Sequence, residues 1–296
     1  MINLIKKKII LGTRSLSGDM GKVSEYEIYQ TLDYAIEKGF VHYDTAPVYG
    51  NGSVDKILSS FKKEITVNTK CGYNFKNKIK TFALTDLQRT LDRSLKSFDK
   101  INILYLHNPR HEIKDWDKVI NFLHDLKKNK LIKYMGISLA RDYYFIKEIL
   151  DQFDFVQDEF NLLRIISPYA LNSIKAKIIA RSPLASGVLT SGFNNASKFS
   201  KIDYRYDWLK GVRKKNILFQ VQQLKKIIKT NIEAYAFSFL LYNKKVKYIN
   251  YGVKNKNHID FLLKKNFFYK IKKSDIKNVM LLRNNNYLLN SSQKGY

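Results

Sequence analysis

A single (β/α)8 TIM-type barrel, with an N-terminal β-hairpin and a C-terminal helical extension, is the fold this sequence predicts. Three observations carry that reading. Short apolar runs alternate with stretches of helical period along the whole chain, about eight times over. No Pro-, Gly- or Ser-rich stretch breaks the alternation as a linker would, so residues 1–296 read as one domain. Six of the runs end on a polar residue, at Asp44, Lys70, His107, Ser138, Gln157 and Arg181. The C-terminal ends of strands are where such a barrel gathers its chemistry.

In order, Leu4-Ile5 and Ile9-Ile10-Leu11 predict a short strand or hairpin, followed by a glycine-rich loop from Gly12 to Gly21. Ser24 with Glu27 three residues later makes a capping box. Ile28, Leu32, Ala35 and Ile36 then repeat at helical spacing until Gly39 ends the helix. A strand over 40–44, a helix over Val54–Phe61 and a strand over Ile65–Lys70 follow. Thr85 is read as the cap of a helix reaching Phe98, with Leu87, Leu91 and Leu95 on one face. The alternation continues through strand Ile101–Leu106, helix Trp116–Lys128, strand Ile132–Ile137, helix Tyr143–Leu150, strand Phe155–Gln157, helix Tyr169–Ile174 and strand Lys177–Ala180. A long loop over 183–212 interrupts the rhythm. Helices at 213–229 and 232–242, strand Val246–Tyr251, and helices over Asn257–Lys265 and Ser274–Leu282 complete the chain. The tail from about residue 284 is rich in Asn and Ser and reads as loose.

Composition narrows the class. Hydrophobic residues make up 45% of the chain, enough for a large core. The lone cysteine, Cys71, excludes an internal disulfide and suits a cytoplasmic location. No apolar run approaches the roughly 18 residues of a membrane span. Ile9-Ile10-Leu11, behind Lys6-Lys7-Lys8, is too short for a signal-peptide core. The net charge of +27 raises a nucleic-acid reading. The basic residues recur singly along helical stretches, however, and Lys, Asn, Ile, Tyr and Phe are abundant together, as an AT-rich coding bias produces. Nucleic acid is therefore not an expected partner. The positive field would still steer anionic ligands, including a phosphorylated cofactor.

The stretch from Phe40 to Gly50 organises the chemistry, with Asp44 at its strand end and Tyr49 on the loop beyond. Carbonyl reduction needs a hydride at carbon and a proton at oxygen. A tyrosine can give the proton, but its free pKa of about 10 makes it a poor donor at neutral pH unless a cation lies beside it. Lys70 is such a cation, Asp44 its counterion, and a neutral His107 a group that orients the carbonyl oxygen.

These residues stand in stretches that resemble the aldo-keto reductase superfamily. The matching pieces are Gly39-Phe40 through Asp44-Thr45-Ala46 to Tyr49-Gly50, Val67-Asn68-Thr69-Lys70, and Leu104-Tyr105-Leu106-His107-Asn108-Pro109. Gly136-Ile137-Ser138, Val156 to Leu163 and Ser182 to Thr190 follow in the same order, so the likeness runs from about residue 9 to 265. It implies a barrel that reduces an aldehyde or ketone with NADP(H), less often NAD(H), through a tetrad of Asp44, Tyr49, Lys70 and His107. It also implies cofactor contacts from Ser138, Gln157, Arg181, Ser182, Leu184, Gly187 and Leu189, with Thr190 along the same loop. Gly252 and Lys254 are implied at the adenosine 2′-phosphate.

The sequence departs from the family pattern at Leu139, where a second polar group is common, and at Arg181, where an aromatic often stacks. It departs again at Tyr251, Phe261 and Leu262 near the adenine end. No Gly-x-Gly-x-x-Gly turn marks a Rossmann site. The substrate is expected to be a small carbonyl compound, with a sugar or nucleotide-linked sugar among the candidates, and the alternative function is a cofactor-binding redox sensor or regulatory subunit.

Blander readings compete at single residues. His107 and His111 have metal-ligand spacing, but Pro109 between them opposes the helix that would align them, so no metal is expected. Cys71 reads as a small buried residue before a reactive thiol. Phe193, Tyr204, Tyr206 and Trp208 in the long loop read equally as packing or as a lid. Arg110 and Arg141 read as solvent-exposed before they read as anion contacts.

Overall fold

Eight parallel strands close into a barrel in the computed structural model, which describes residues 2–110, 112–140, 145–166, 168–228, 230–264 and 271–285. They are β1 (Ile9–Gly12), β2 (His42–Asp44), β3 (Thr66–Cys71), β4 (Ile101–His107), β5 (Ile132–Ser138), β6 (Phe155–Glu159), β7 (Lys177–Arg181) and β8 (Val246–Gly252). Each pairs in parallel with its neighbours in sequence, and β8 returns to β1 in a register running from Ile9–Ile249 to Gly12–Gly252. The helices are α1 (Ile2–Lys8), α2 (Glu25–Glu37), α3 (Ser53–Leu58), α4 (Leu84–Ser97), α5 (Trp116–Lys128), α6 (Lys147–Leu150), α7 (Pro168–Ser173), α8 (Arg205–Trp208), α9 (Gly211–Ile227), α10 (Ile232–Tyr242), α11 (Lys256–Leu263) and α12 (Lys273–Asn285). No helix among the described residues is long and apolar enough to cross a membrane.

Strand alternation divides the apolar residues between two cores. Ile10, Ile103, Tyr105, Phe155 and Ile179 fill the barrel interior. Leu11, Tyr43, Val67, Leu104 and Ile137 belong to the layer shared with the helices, where they join Leu32, Leu91, Leu123 and Phe237. Burying a side chain of this size contributes roughly 1.5–3 kcal/mol. Gly136 is required inside the barrel, because a Cβ there would overlap the Tyr105 ring and Ile103. The glycine lets that ring reach across the axis beneath the polar layer.

The predicted capping box forms: the Ser24 hydroxyl accepts from Glu27 N, and Glu27 Oε2 accepts from Ser24 N at 2.8 Å. Asp115 caps α5 by accepting from Lys118 N at 3.1 Å. Two local expectations fail. The N-terminus is the helix α1, not a β-hairpin. Both edges of β1 are occupied, by β2 and β8, which leaves no edge for an antiparallel partner. Ile5, only 1% exposed, anchors α1 instead. Thr85 does not cap α4, which begins one residue earlier at Leu84 after an extended Ala83.

The C-terminal extension is α12, packed along α9 with Val279 buried. The 183–212 loop contains a 3-10 turn at Ala185–Gly187 and the short helix α8. A small antiparallel hairpin, Tyr73–Asn74 with Ile79–Lys80, stands on the loop after β3. The expected helix start at Tyr143, His111, Arg141 and the tail beyond 285 lie outside the described residues.

Candidate active site

Asp44 and Lys70 end up on adjacent strands, both with side chains only 3% exposed. Lys70 Nζ donates to Asp44 Oδ1 at 2.5 Å and to the Thr45 carbonyl at 2.8 Å. The same ammonium lies 5.2 Å from the centroid of the Tyr49 ring. Burial alone would drive the proton off Lys70, but Asp44 and Tyr49 beside it outweigh that and hold its pKa above the ordinary lysine value. A buried ammonium without such partners would cost several kcal/mol.

The second Asp44 oxygen is also engaged. Gln157 Nε2 donates to Asp44 Oδ2 at 2.8 Å, and Gln157 Oε1 accepts from Ser138 Oγ at 3.0 Å. One carboxylate thus joins the Lys70 ammonium to the Ser138–Gln157 pair across the mouth of the barrel. Asn108, in the left-handed conformation just past β4, turns its amide nitrogen to Ser138 O at 3.1 Å and Leu139 O at 3.2 Å. His107 ends β4 with its ring edge-on to Tyr49, centroids 6.5 Å apart at 87°. Burial, with Lys70, Lys80, Arg14 and Arg181 around it, holds its pKa well below the ordinary histidine value. That direction favours the neutral imidazole.

These groups line one end of a cavity of about 590 Å³ that runs across the tops of β7 and β8. Arg181, Ser182, Leu184, Gly187, Gly252 and Lys254 line its length, as the sequence leads one to expect. Leu189 does not. Its side chain is fully buried in the outer core, and its amide donates to the Leu184 carbonyl at 3.1 Å. The turn after β7 uses positive φ at Ser182, Ala185, Ser186 and Gly187. Three of these are not glycine, and such residues store on the order of 1 kcal/mol of strain each.

Two loops fold over the cavity and meet. Tyr204 N donates to the Asp19 carbonyl at 3.0 Å, and the Tyr204 hydroxyl donates to Ser186 Oγ. Arg205 grips Asp203 through Nε at 2.9 Å and Nη2 at 2.6 Å, and its Nη1 donates to the Ser186 carbonyl at 3.1 Å. Lys254 Nζ reaches the Met20 carbonyl at 2.7 Å. The loop aromatics therefore divide: Tyr204 lines the cavity, Phe193 is core, and Tyr206 is exposed. Arg14, Asn108, Arg205, Asn250 and His258 line the cavity although the sequence does not mark them as site residues. Arg14 and Asn108 follow directly on strand ends, a signal that could have found them. Arg205 opens the short helix α8 within the long loop, and His258 lies in the first turn of α11; which side chains of these helices face the cavity is not written in the sequence.

The Aldo/keto reductase family model matches residues 8–282. The chain belongs to the aldo/keto reductase family. Among curated relatives of this reductase are two proteins 27% identical to it. L-galactose dehydrogenase from Arabidopsis thaliana aligns over 203 residues, 60% of this chain and 62% of that protein. Aldo-keto reductase YhdN from Bacillus subtilis aligns over 244 residues, 75% of this chain and 72% of that one. Solved structures share its fold. The glycerol dehydrogenase AKR11B4 from Gluconobacter oxydans superposes with a TM-score of 0.76 at 22% identity, covering 93% of this chain and 90% of that one. The aldo-keto reductase AKR11C1 from Bacillus halodurans, in its holo form, gives 0.75 at 19% identity, covering 93% and 91%.

As a family member the reductase is a nicotinamide-dependent oxidoreductase, and its cavity suits that cofactor. Ser138 and Gln157 present a hydroxyl and an amide beside Asp44. Arg181, tied by Nη2 to Leu139 O at 3.0 Å, keeps a buried Nε without a partner among the described residues. Gly187 and Gly252 leave the cavity wall bare of side chains, and Lys254 and Arg205 place positive charge at the far end. Among the described residues no cluster of His, Cys, Asp and Glu could hold a metal ion. Cys71 is buried, and its thiol is pushed up to about 12, which makes it a packing residue.

Proposed function

We propose that the reductase converts an aldehyde or ketone to an alcohol with NADP(H) in the cytoplasm, and that Tyr49 is the proton donor. The observation that carries the proposal is the Lys70 ammonium, held between Asp44 and the Tyr49 ring. The nicotinamide, when bound, supplies the hydride. As negative charge grows on the carbonyl oxygen, the Tyr49 hydroxyl gives up its proton to it. Lys70 stabilises the phenolate that remains. Opposite unit charges about 4 Å apart attract by about 4 kcal/mol at an effective dielectric near 20, which is worth orders of magnitude in rate. Asp44 keeps Lys70 charged throughout and anchors Gln157. A ring N–H of neutral His107 orients the carbonyl oxygen; a charged imidazolium would compete with Tyr49 as acid.

Preference for NADP over NAD is assigned to Lys254, with Arg205 nearby on the same cavity wall. Ser138 and Gln157 hold the nicotinamide amide, and Arg181 lies under the ring as a planar cation able to stack.

The test is steady-state oxidation of NADPH and NADH with a panel of aldehydes and ketones. Tyr49→Phe is expected to lower kcat by about 10²–10⁴-fold while cofactor binding, read by fluorescence quenching, persists. An unchanged kcat removes Tyr49 from this role, and absence of turnover by the wild type favours the sensor reading.

A further inference from the structure

The cations that line the cavity differ in how much of their hydrogen-bonding capacity the protein already uses. Arg205 engages all three of its nitrogens, two on Asp203 and the third on the Ser186 carbonyl. Lys70 is buried between Asp44 and Thr45 O. Lys254 is tied to Met20 O, and Arg181 to Leu139 O. Arg14 makes one contact, from Nε to Asp19 Oδ2 at 3.2 Å, in a pair about half exposed on both sides. Its two terminal nitrogens have no protein partner among the described residues. The guanidinium is held in place, 5.1 Å from the centroid of the Tyr204 ring. Asp19 and Tyr204 thus fix the plane of a fork whose outer edge is open.

The location of that fork matters. Arg14 begins the 3-10 turn that follows β1, and this turn packs against the Tyr49–Gly52 turn that carries the proton donor. Arg14 and Tyr49 line the same cavity, and the Arg14 charge reaches both Tyr49 and His107. The charge balance points the same way. Five cationic side chains line the cavity, Arg14, Lys70, Arg181, Arg205 and Lys254, against two carboxylates, Asp19 and Asp44. The cofactor's phosphates account for the cations at the far end. They do not account for Arg14 beside Tyr49, where the neighbouring His107 is kept neutral by burial and by the surrounding positive charge. A planar fork with two free N–H edges suits an oxyanion in bidentate contact.

We infer that the carbonyl substrate carries an anionic group, a carboxylate or a phosphate, and that Arg14 receives it. This inference rests on the reductase reading above. Arg14 is a specificity residue here: it binds the substrate's charge and takes no part in the transfer of proton or hydride.

The experiment compares kcat/KM for matched pairs under saturating NADPH: succinic semialdehyde against butyraldehyde for a carboxylate, and glyceraldehyde 3-phosphate against glyceraldehyde for a phosphate. The expected result is an advantage of about 10–100-fold for the anionic member of at least one pair, the worth of a charge-assisted contact. Which pair shows it identifies the oxyanion. Arg14→Gln is expected to collapse that ratio, chiefly through KM, and Arg14→Lys to restore part of it. Raising salt should erode the advantage as well.

Turnover of both members within threefold of each other, in both pairs, overturns the anion subsite and leaves the reductase reading standing. A lowered NADPH affinity in Arg14→Gln with an unchanged anionic-to-neutral ratio also overturns it, since Arg14 would then serve the cofactor. Turnover of no carbonyl by wild-type protein that still quenches NADPH fluorescence defeats the reductase reading, and the inference with it.

Discussion

The two ends of the cavity are built on different principles. At the end that holds Lys70 each ion is buried and answered by a partner on a strand: Lys70 by Asp44, and Asp44 in turn by Gln157. At the other end the cations, Lys254 and Arg205, lie beyond the strands, partly exposed, and are held by backbone carbonyls and by Asp203. The contrast suits what the proposed function asks of each end. Proton transfer needs fixed distances in a dry site, and strand register supplies them. Recognition of a phosphate needs positive charge and reach, which loops supply.

If the catalytic end depends on mutual pairing, breaking one pair should be felt globally. Asp44→Asn strands the Lys70 ammonium in the interior and is expected to cost about 3–5 kcal/mol of stability, read as a drop in the urea midpoint. A loss below about 1 kcal/mol would show that solvent reaches Lys70 and that the two ends are less different than described.

Asp55 is a subtler case at the same end. It is 4% exposed and accepts the Thr45 hydroxyl at 2.5 Å, one residue beyond Asp44. Burial pushes its pKa up to about 6 from an ordinary 3.8, only partly offset by Thr45, Lys70 and Arg93. A carboxyl raised in the folded state favours folding at low pH, and that contribution is lost as pH rises from about 4 through about 6. Asp55→Asn removes the loss and keeps an acceptor for Thr45. It is expected to stabilise the protein above pH 6, by about 3 kcal/mol at most, and to flatten the pH dependence between 4 and 6. Equal stability of the two proteins at pH 7.5 would refute the burial account.

At the phosphate end the effects should be smaller and confined to binding. Lys254→Met is expected to weaken NADPH about tenfold, to change NADH within about twofold, and to leave the urea midpoint unaltered. Equal losses for the two cofactors would move Lys254 from the 2′-phosphate to the pyrophosphate.

Legibility in the sequence follows the same division. The tetrad lies on or just beyond strand ends, and period-two apolar runs mark strand ends well, so Asp44, Lys70 and His107 stand out. Leu189 was misplaced because it belongs to a loop: its neighbours Leu184 and Gly187 reach the cavity, while the positive-φ turn points Leu189 into the core. Arg14 follows β1 closely but is not legible as a site residue, because a hairpin reading of residues 4–11 does not mark where β1 ends. Arg205 was hidden because its place depends on Met20 pairing with Asp203 across a long loop.

What the sequence determined alone is the order of elements, the barrel they imply, and the polar residues that cap its strands. The alternation of buried and exposed side chains is a local property, written in every strand and helix. Only the tertiary structure decided that Asp44 divides its two oxygens between Lys70 and Gln157, residues 26 and 113 positions away. It also decided that a helix replaces the N-terminal hairpin, since closure of the barrel takes both edges of β1. And it set a half-used arginine in the same cavity as Tyr49. Each of these turns on which distant groups share a small volume, and closure of the chain on itself settles that.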